Sequence, residues 1–549
     1  MSLRFQMLGP VPADTARLAK ALSRKKPHPY IVFGDRLGDF LDCDDFTELY
    51  SNLGQSAIHP ARLALALLVQ FAEGLSDRQL ADFIRWNPAV KYLLRLPLEH
   101  EGWDASVFTE FRSRLIAGGA SHLIFNKLLE AAEELGLLNP EKQRTDSTYV
   151  LSAARELNTL ELLHETMSCC LDELAEAAPK LMLAKGQPHW LQRYFEQGAF
   201  NYKLPKKEKA RAKLATDFGE DMRYLLKVVD ESAKATKLGQ LETVRTLRRV
   251  FEEHFDDSNA KGGPKLRDRS ELKPASDRIG SPHDVEARWA AKRGAFKFGY
   301  KAHFTETFSE GSPHLITHVE TTASTMNDSI SLPKIQEELK NTGRKPSLHL
   351  VDSGYVQVDY LHQSLAKDDI EILGPLVQGG SWQRKAGKGF DIANFVIDWE
   401  NRTVSCPAGA KSESWKKGRG RNGAVVNVSF SDKECMKCPF REDCTTSSAR
   451  QLQFKTQPVY EFAELLRVRQ QTDEFKRRYA KRSGIEGTIS QIVRRTDARR
   501  SRYVGLAKTA FANILSAAGL NFVRLANFFM DVPLARTRKG KYQNLLAIA

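Results

Sequence analysis

Between Gly294 and Leu376 the apolar residues switch between two periods, and this restricts the architecture more than any other stretch. AFKFGYKAHFTETF and HLITHVETTAS alternate as strands do and read as neighbours in a sheet. SISLPKIQEELKNTG has helical spacing, with Asn327 or Asp328 as its cap and Gly343 as its stop. SLHLVDSGY is a short apolar strand ending at Asp352; VDYLHQSLAKDD is a helix and IEILGPL a further strand. Strand, strand, helix, strand, helix, strand predicts a mixed α/β sheet. Asp352 falls at the carboxyl end of a strand, where open α/β sheets place their sites.

The flanking sequence divides around this core. QRTDSTYVLSA alternates and is rich in Thr, Tyr and Val, which gives an earlier strand with Asp146, Thr148 and Val150 on one face. Residues 1–140 read as a helical, DNA-binding domain. There Ala61 to Glu73 stops at Gly74, Ser76 caps the next helix and Pro88 opens a third, as in a helix-turn-helix. Most short helix triplets bind nothing, so that reading needs support from elsewhere. Residues 156–282 read as a helical insertion and linker between the two parts of the sheet core, 141–155 and 283–377. A basic, Gly-rich, Cys-rich insertion covers 378–455. Helices return over 456–530, and a basic tail covers 531–549.

The chain has 549 residues, too many for one core, and 42% hydrophobic content, enough for most of it to fold. A net charge of +14 points to a polyanionic partner, most often nucleic acid. The longest apolar run, Ala61 to Ala72, is too short to span a membrane and contains Arg62 and Gln70. The first residues lack an export pattern, and the seven cysteines are odd in number and clustered, so thiols or metal are expected rather than disulfides. Cys406, Cys435, Cys438 and Cys444 follow C-x28-C-x2-C-x5-C, whose C-x2-C knuckle suits tetrahedral, structural zinc. Reduced thiols in an irregular module are the alternative. Cys169 and Cys170 lie in a helical run and read as core.

From Lys476 to Arg502 there are ten Lys or Arg and two acids, Glu486 and Asp497. On one helix Tyr479, Arg482 and Glu486 would share a face. Glu486 is then either an ion-pair partner or a metal ligand held against a polyanion. Phosphodiester chemistry needs clustered carboxylates, because magnesium takes hard oxygen ligands. Asp146, Asp352 and Glu486 are the candidates.

TDSTYV, HLVDSGY and YAKRSGIEG, in that order, resemble the three acid motifs of the DDE transposases of bacterial insertion sequences. The last matches a Tyr-x2-Arg-x3-Glu signature, and Gly299-Tyr300-Lys301 is similar to a strand in that family. The resemblance covers roughly residues 50 to 530. It implies an RNase H-like catalytic core, with Asp146, Asp352 and Glu486 ligating two Mg2+ or Mn2+ ions. It also implies DNA contacts from Tyr479, Arg482, Tyr300 and Lys301. The family's Lys seven residues after the Glu is absent, since Val493 stands there, and Arg494 beside it points about 100° away on a helix. Arg482 is therefore the better candidate for the terminal phosphate, with Arg494 as a further DNA contact. The implied activity is cleavage of element ends and strand transfer to target DNA, by a homo-oligomer in the cytoplasm, on the nucleoid when active. A nuclease without strand transfer and a non-catalytic DNA-binding regulator are the rival readings.

Overall fold

The computed structural model describes residues 2–3, 8–23, 26–51, 53–196, 204–258, 263–292, 294–377, 380–420 and 423–533. The expected basic tail lies outside them apart from its first three residues.

Seven helices come first: α1 (Ala13–Leu22), α2 (Pro29–Leu37), α3 (Pro60–Glu73), α4 (Asp77–Trp86), α5 (Pro88–Leu93), α6 (Ala105–Ala117) and α7 (Leu123–Glu134). α3 is apolar on all sides, so it is buried on all sides: 12 of its 14 residues are buried. α4 starts in a capping box between Ser76 and Gln79, and Asn87 caps α5 through Ala89 and Val90. Leu80 and Ile84 of α4 face inward, while Arg78, Gln79, Asp82, Arg85 and Trp86 stay exposed.

The chain then enters β1 (Lys142–Leu151) and leaves for an insertion whose main helices are α8 (Thr159–Ala177), α9 (Glu208–Asp230) and α10 (Glu242–His254). The insertion closes its own core, with Leu163, Met167, Cys170, Phe218, Met222, Leu247 and Val250 inside. Residues 255–256 and 265–266 pair as a small hairpin within the expected linker.

The sheet is completed by β2 (Arg288–Lys292), β3 (Ala295–Thr307), β4 (Ile316–Ala323), β5 (Leu348–Leu350) and β6 (Glu371–Leu373). Helix α11 (Asp328–Asn341), capped by Asn327, precedes β5, and α12 (Val358–Asp368) precedes β6. β1 lies centrally, antiparallel to β3 and parallel to β5, which is parallel to β6. The far edge of β3 pairs with β2 along its first half and with β4 along its second. This is the mixed sheet the periodicity predicts, with one added edge strand in HDVEARWAAKRG.

The Cys-rich insertion, for which no strands were expected, is built around them. It holds a two-stranded ladder, β7 (Val396–Asp398) with β8 (Thr403–Ser405), and a meander of β9 (Ser414–Gly420), β10 (Gly423–Ser429) and β11 (Gln451–Lys455). Phe395, Val404, Val426, Val428, Phe430, Leu452 and Phe454 form the interior of this module. Two short helices, α13 (Asp432–Lys437) and α14 (Arg441–Cys444), carry its later cysteines.

The remaining helices are α15 (Gln457–Arg469), α16 (Asp473–Ala480), α17 (Gly484–Thr496) and α18 (Leu506–Phe529). α18 is long and apolar enough to cross a membrane, but 67% of its most apolar window is buried within the protein. It is the central core helix. A Cβ at Gly519 would stand 2.8 Å from the Ala72 nitrogen, so the missing side chain lets α18 press on α3. Phe522 packs against Phe33 of α2, with ring centroids 4.4 Å apart. The N-terminal helices, β3, β4 and the C-terminal helices thus share one apolar core.

Candidate active site

Asp146 lies midway along β1, opposite Phe304 of β3. One of its carboxylate oxygens accepts from the Ser147 amide at 2.7 Å. Asp352 stands two residues beyond the end of β5, which stops that much sooner than expected, and accepts from the Gly354 amide at 2.9 Å. Glu486 is in the first turn of α17, with its side chain 59% exposed.

The face carrying Tyr479, Arg482 and Glu486 is not on one continuous helix. α16 ends at Ala480, a 3-10 turn spans Lys481–Ser483, and α17 begins at Gly484. Gly484 weakens helix propensity at this point, and a long-range contact holds the turn. Arg144, two residues before Asp146 on β1, donates to the Lys481 carbonyl at 2.5 Å and fills the space where a Gly484 side chain would be. Arg144 is itself held by Glu306, fully buried on β3, at 2.8 Å. Glu306 also accepts from Thr488 of α17 at 2.6 Å and Arg524 of α18 at 2.8 Å. Four elements are fixed to one another by these bonds, and the tightened turn carries Arg482 over β1.

Arg482 then joins the two acids. It donates to Asp146 Oδ2 at 3.1 Å and to Glu486 Oε1 at 2.5 Å, and its guanidinium lies 5.8 Å from the Tyr479 ring centroid. Burial pushes the Asp146 carboxyl above its usual range, and the nearby Asp352 charge pushes the same way, against the Ser147 amide and Arg482. Burial also raises the Tyr479 phenol; Arg482 opposes this, and the Asp352 and Asp146 charges add to it. All three acids therefore act on one small region.

A fourth acid stands beside them. Asp328, at the start of α11, lies 3.5 Å from Ser147 Oγ and pairs with Lys301 Nζ at 2.8 Å. A Cβ at Gly354 would meet Asp352 Oδ1 at 3.1 Å and Asp328 Oδ2 at 3.2 Å. Sequence reading took Asp328 only as a cap. It missed Arg144 too, although alternation along RTD puts Arg144 on the face of Asp146.

Two expected DNA contacts are placed differently. Tyr300 is fully buried with its hydroxyl on Asp284, and Lys301 is buried against Asp328 and the Met326 carbonyl. Strand alternation turns them to opposite faces of β3, and α11 covers Lys301, so neither reaches a DNA surface in this conformation. Arg494 is exposed, whereas Val493 packs on the core.

The four module cysteines line one cavity of about 300 Å3. Burial raises the Cys444 thiol, Arg450 opposes this, and Cys435, Cys406 and Cys438 reinforce it. The Cys406 sulfur accepts from the Ala410 amide at 3.3 Å. Among the described residues no three His, Cys, Asp or Glu side chains are drawn together closely enough to hold a metal ion. At the acids, the Arg482 guanidinium lies between the carboxylates.

No curated protein matches the chain. Residues 19–114, which contain the last turn of α1, all of α2 to α5 and most of α6, match the model described as Transposase domain (DUF772). Residues 405–526, from Cys406 through Glu486 into α18, match the Transposase DDE domain. Asp146 and Asp352 lie outside both segments. Two transposase matches on one chain, one on the N-terminal helices and one on the segment carrying Glu486, support a DDE-type transposase of an insertion sequence.

Proposed function

We propose that the chain cuts the ends of its own element and joins the freed 3′ hydroxyl to target DNA, at a site made by Asp146, Asp352 and Glu486 on an RNase H-like core. The observation that carries this reading is the Arg482 bridge. Asp146 and Glu486, far apart in sequence, share one cation beside the Asp352 charge, in a chain with transposase matches. The donor set fits magnesium or manganese: hard carboxylate oxygens whose mutual repulsion a cation relieves, with a guanidinium standing in for it. Metal ions held there would supply activation of a water and stabilisation of the leaving oxygen.

The chain's own residues do the rest. Arg482 and Tyr479 hold the phosphate next to the cut, since a guanidinium fork matches phosphate oxygens. Arg494 and the exposed Arg78, Gln79 and Arg85 of α4 hold DNA further out. Asp328, with Lys301 as counter-ion, adds negative charge behind Asp352. In the cysteine module the thiols facing one cavity suit a structural zinc, which would tie α13 and α14 to the β7–β8 ladder. Joining two element ends to one target calls for a homo-oligomer, acting on the nucleoid in the cytoplasm.

The test is cleavage of element-end duplex with Mg2+ or Mn2+ by wild type, Asp352→Asn and Glu486→Gln. Wild type cuts and both variants bind the duplex without cutting. Persistent cleavage by both variants rejects the site. Binding without cleavage by wild type leaves the regulator reading.

A further inference from the structure

In the DNA-free chain Arg482 fills the place of a cation. Its two terminal nitrogens fork to acids on different elements, Asp146 on β1 and Glu486 on α17. The Arg482 side chain is only 15% exposed, and its guanidinium keeps its charge at any accessible pH. Asp328 repeats the arrangement with Lys301, which is also mostly buried. Like charges repel strongly at a few ångström where water is scarce. A divalent ion and this guanidinium therefore cannot both occupy the gap between Asp146 and Glu486.

The bridge is also placed to open. The Glu486 side chain is 59% exposed, so the outer half of the bridge faces solvent. Arg482 sits on the 3-10 turn between α16 and α17, whose Lys481 carbonyl Arg144 holds, so the bridge opens by rotation of the long Arg482 side chain and leaves the backbone in place. A DNA phosphate offers two charged oxygens to the fork and so replaces what Arg482 gives up.

Building on the metal-dependent reading above, we propose that Arg482 keeps the site closed to cations until a DNA phosphate takes it over. Metal loading then follows DNA arrival, and the chain without DNA does not hold an armed site. The coupling is reciprocal: bound cation must tighten DNA as much as DNA tightens cation.

Manganese binding to the purified full chain, followed by the loss of the free-ion EPR signal, tests this without any turnover. Wild type binds Mn2+ weakly alone and at least about tenfold more tightly with a short duplex, after subtraction of the duplex's own binding. Arg482→Gln binds Mn2+ alone about as tightly as wild type does with DNA, and adding Glu486→Gln removes that gain. An Arg482→Gln chain whose DNA-free affinity equals wild type overturns the proposal. If Arg482→Gln does not fold, Arg482→Lys decides: it keeps the charge but cannot fork to both acids, so an intermediate gain supports the gate and no gain refutes it. Asp352→Asn separates the two readings. If it leaves Mn2+ binding by the DNA complex unchanged, the metal site itself is misplaced, whatever Arg482→Gln does.

Discussion

Gly484 and Gly487 flank Glu486 and look equivalent in sequence, where both suggest a close approach. Only Gly484 meets one within the chain: a Cβ there would stand 2.1 Å from Arg144 Nη1, and one at Gly487 would meet nothing within 4 Å. The Arg144 guanidinium has little freedom to retreat, since Glu306 and the Lys481 carbonyl hold it. Gly484→Ala should therefore cost about 1–3 kcal/mol, as overpacking does, whereas Gly487→Ala should stabilise α17 by up to about 1 kcal/mol. Denaturant unfolding of the two variants checks this; equal effects would mean that Arg144 does not pack as described. Glu486 was legible as a candidate because an acid at Tyr-x2-Arg-x3-Glu spacing in a basic run is conspicuous. Arg144 and Asp328 were not, because an Arg on a strand and an Asp at a helix start have ordinary local explanations, and only the tertiary fold brings them to the site.

At the scale of elements, sequence periodicity was read correctly where one face is apolar and failed where it is not. β1, β3, β4 and α11 alternate or repeat cleanly and were placed within a few residues. β9 reads SWKKGRG, with basic residues and glycines at almost every position, and it is ordered by pairing with β10 rather than by its own pattern. The helix expected through Tyr479 to Glu486 contains Ser483 and Gly484, where a new helix start was the alternative and where α17 does begin; Arg144, which no local window contains, holds the turn before it. The cysteine module tests the zinc reading on its own. Its helices, of 6 and 4 residues, are too short to persist unaided. Trp399 and Trp415 pack edge to face at 5.4 Å inside it, beside Phe454, and report on its order. Cys435→Ser with Cys438→Ser should remove bound zinc and shift tryptophan emission to the red while far-UV dichroism keeps most of its signal. Unchanged metal content in that variant would rule the zinc site out.

Across the whole molecule, the N-terminal helices are part of the same hydrophobic core as the sheet, because α3 and the central helix α18 bury each other. Composition could indicate that 549 residues need several cores but not which elements share one. Histidines are buried outside that core, on the other face of the sheet and in the insertion. Burial lowers His303 and His254 to about 4, and His318 and His349 to about 3. His303 shares a 2.6 Å hydrogen bond with Tyr355, and His349 one of the same length with Thr145, so both rings are locked under α11 as neutral species. The unfolded chain protonates each near pH 6.5. Above that pH neither state binds the proton and the histidines contribute their full stability. As pH falls below about 6.5 the unfolded state takes up protons that the fold refuses, and stability drops until the folded values near 4 and 3 are reached. Each histidine contributes a slope of at most about 1.4 kcal/mol per pH unit in that window. Against a typical total of about 5–15 kcal/mol, four together should bring on acid unfolding between about pH 5.5 and about pH 4. Urea midpoints measured from about pH 7.5 down to about pH 4.5 should fall steeply below about pH 6.5, and His349→Gln should flatten the slope by about one proton. A midpoint that stays level to about pH 5 would show that these rings accept protons in the folded state.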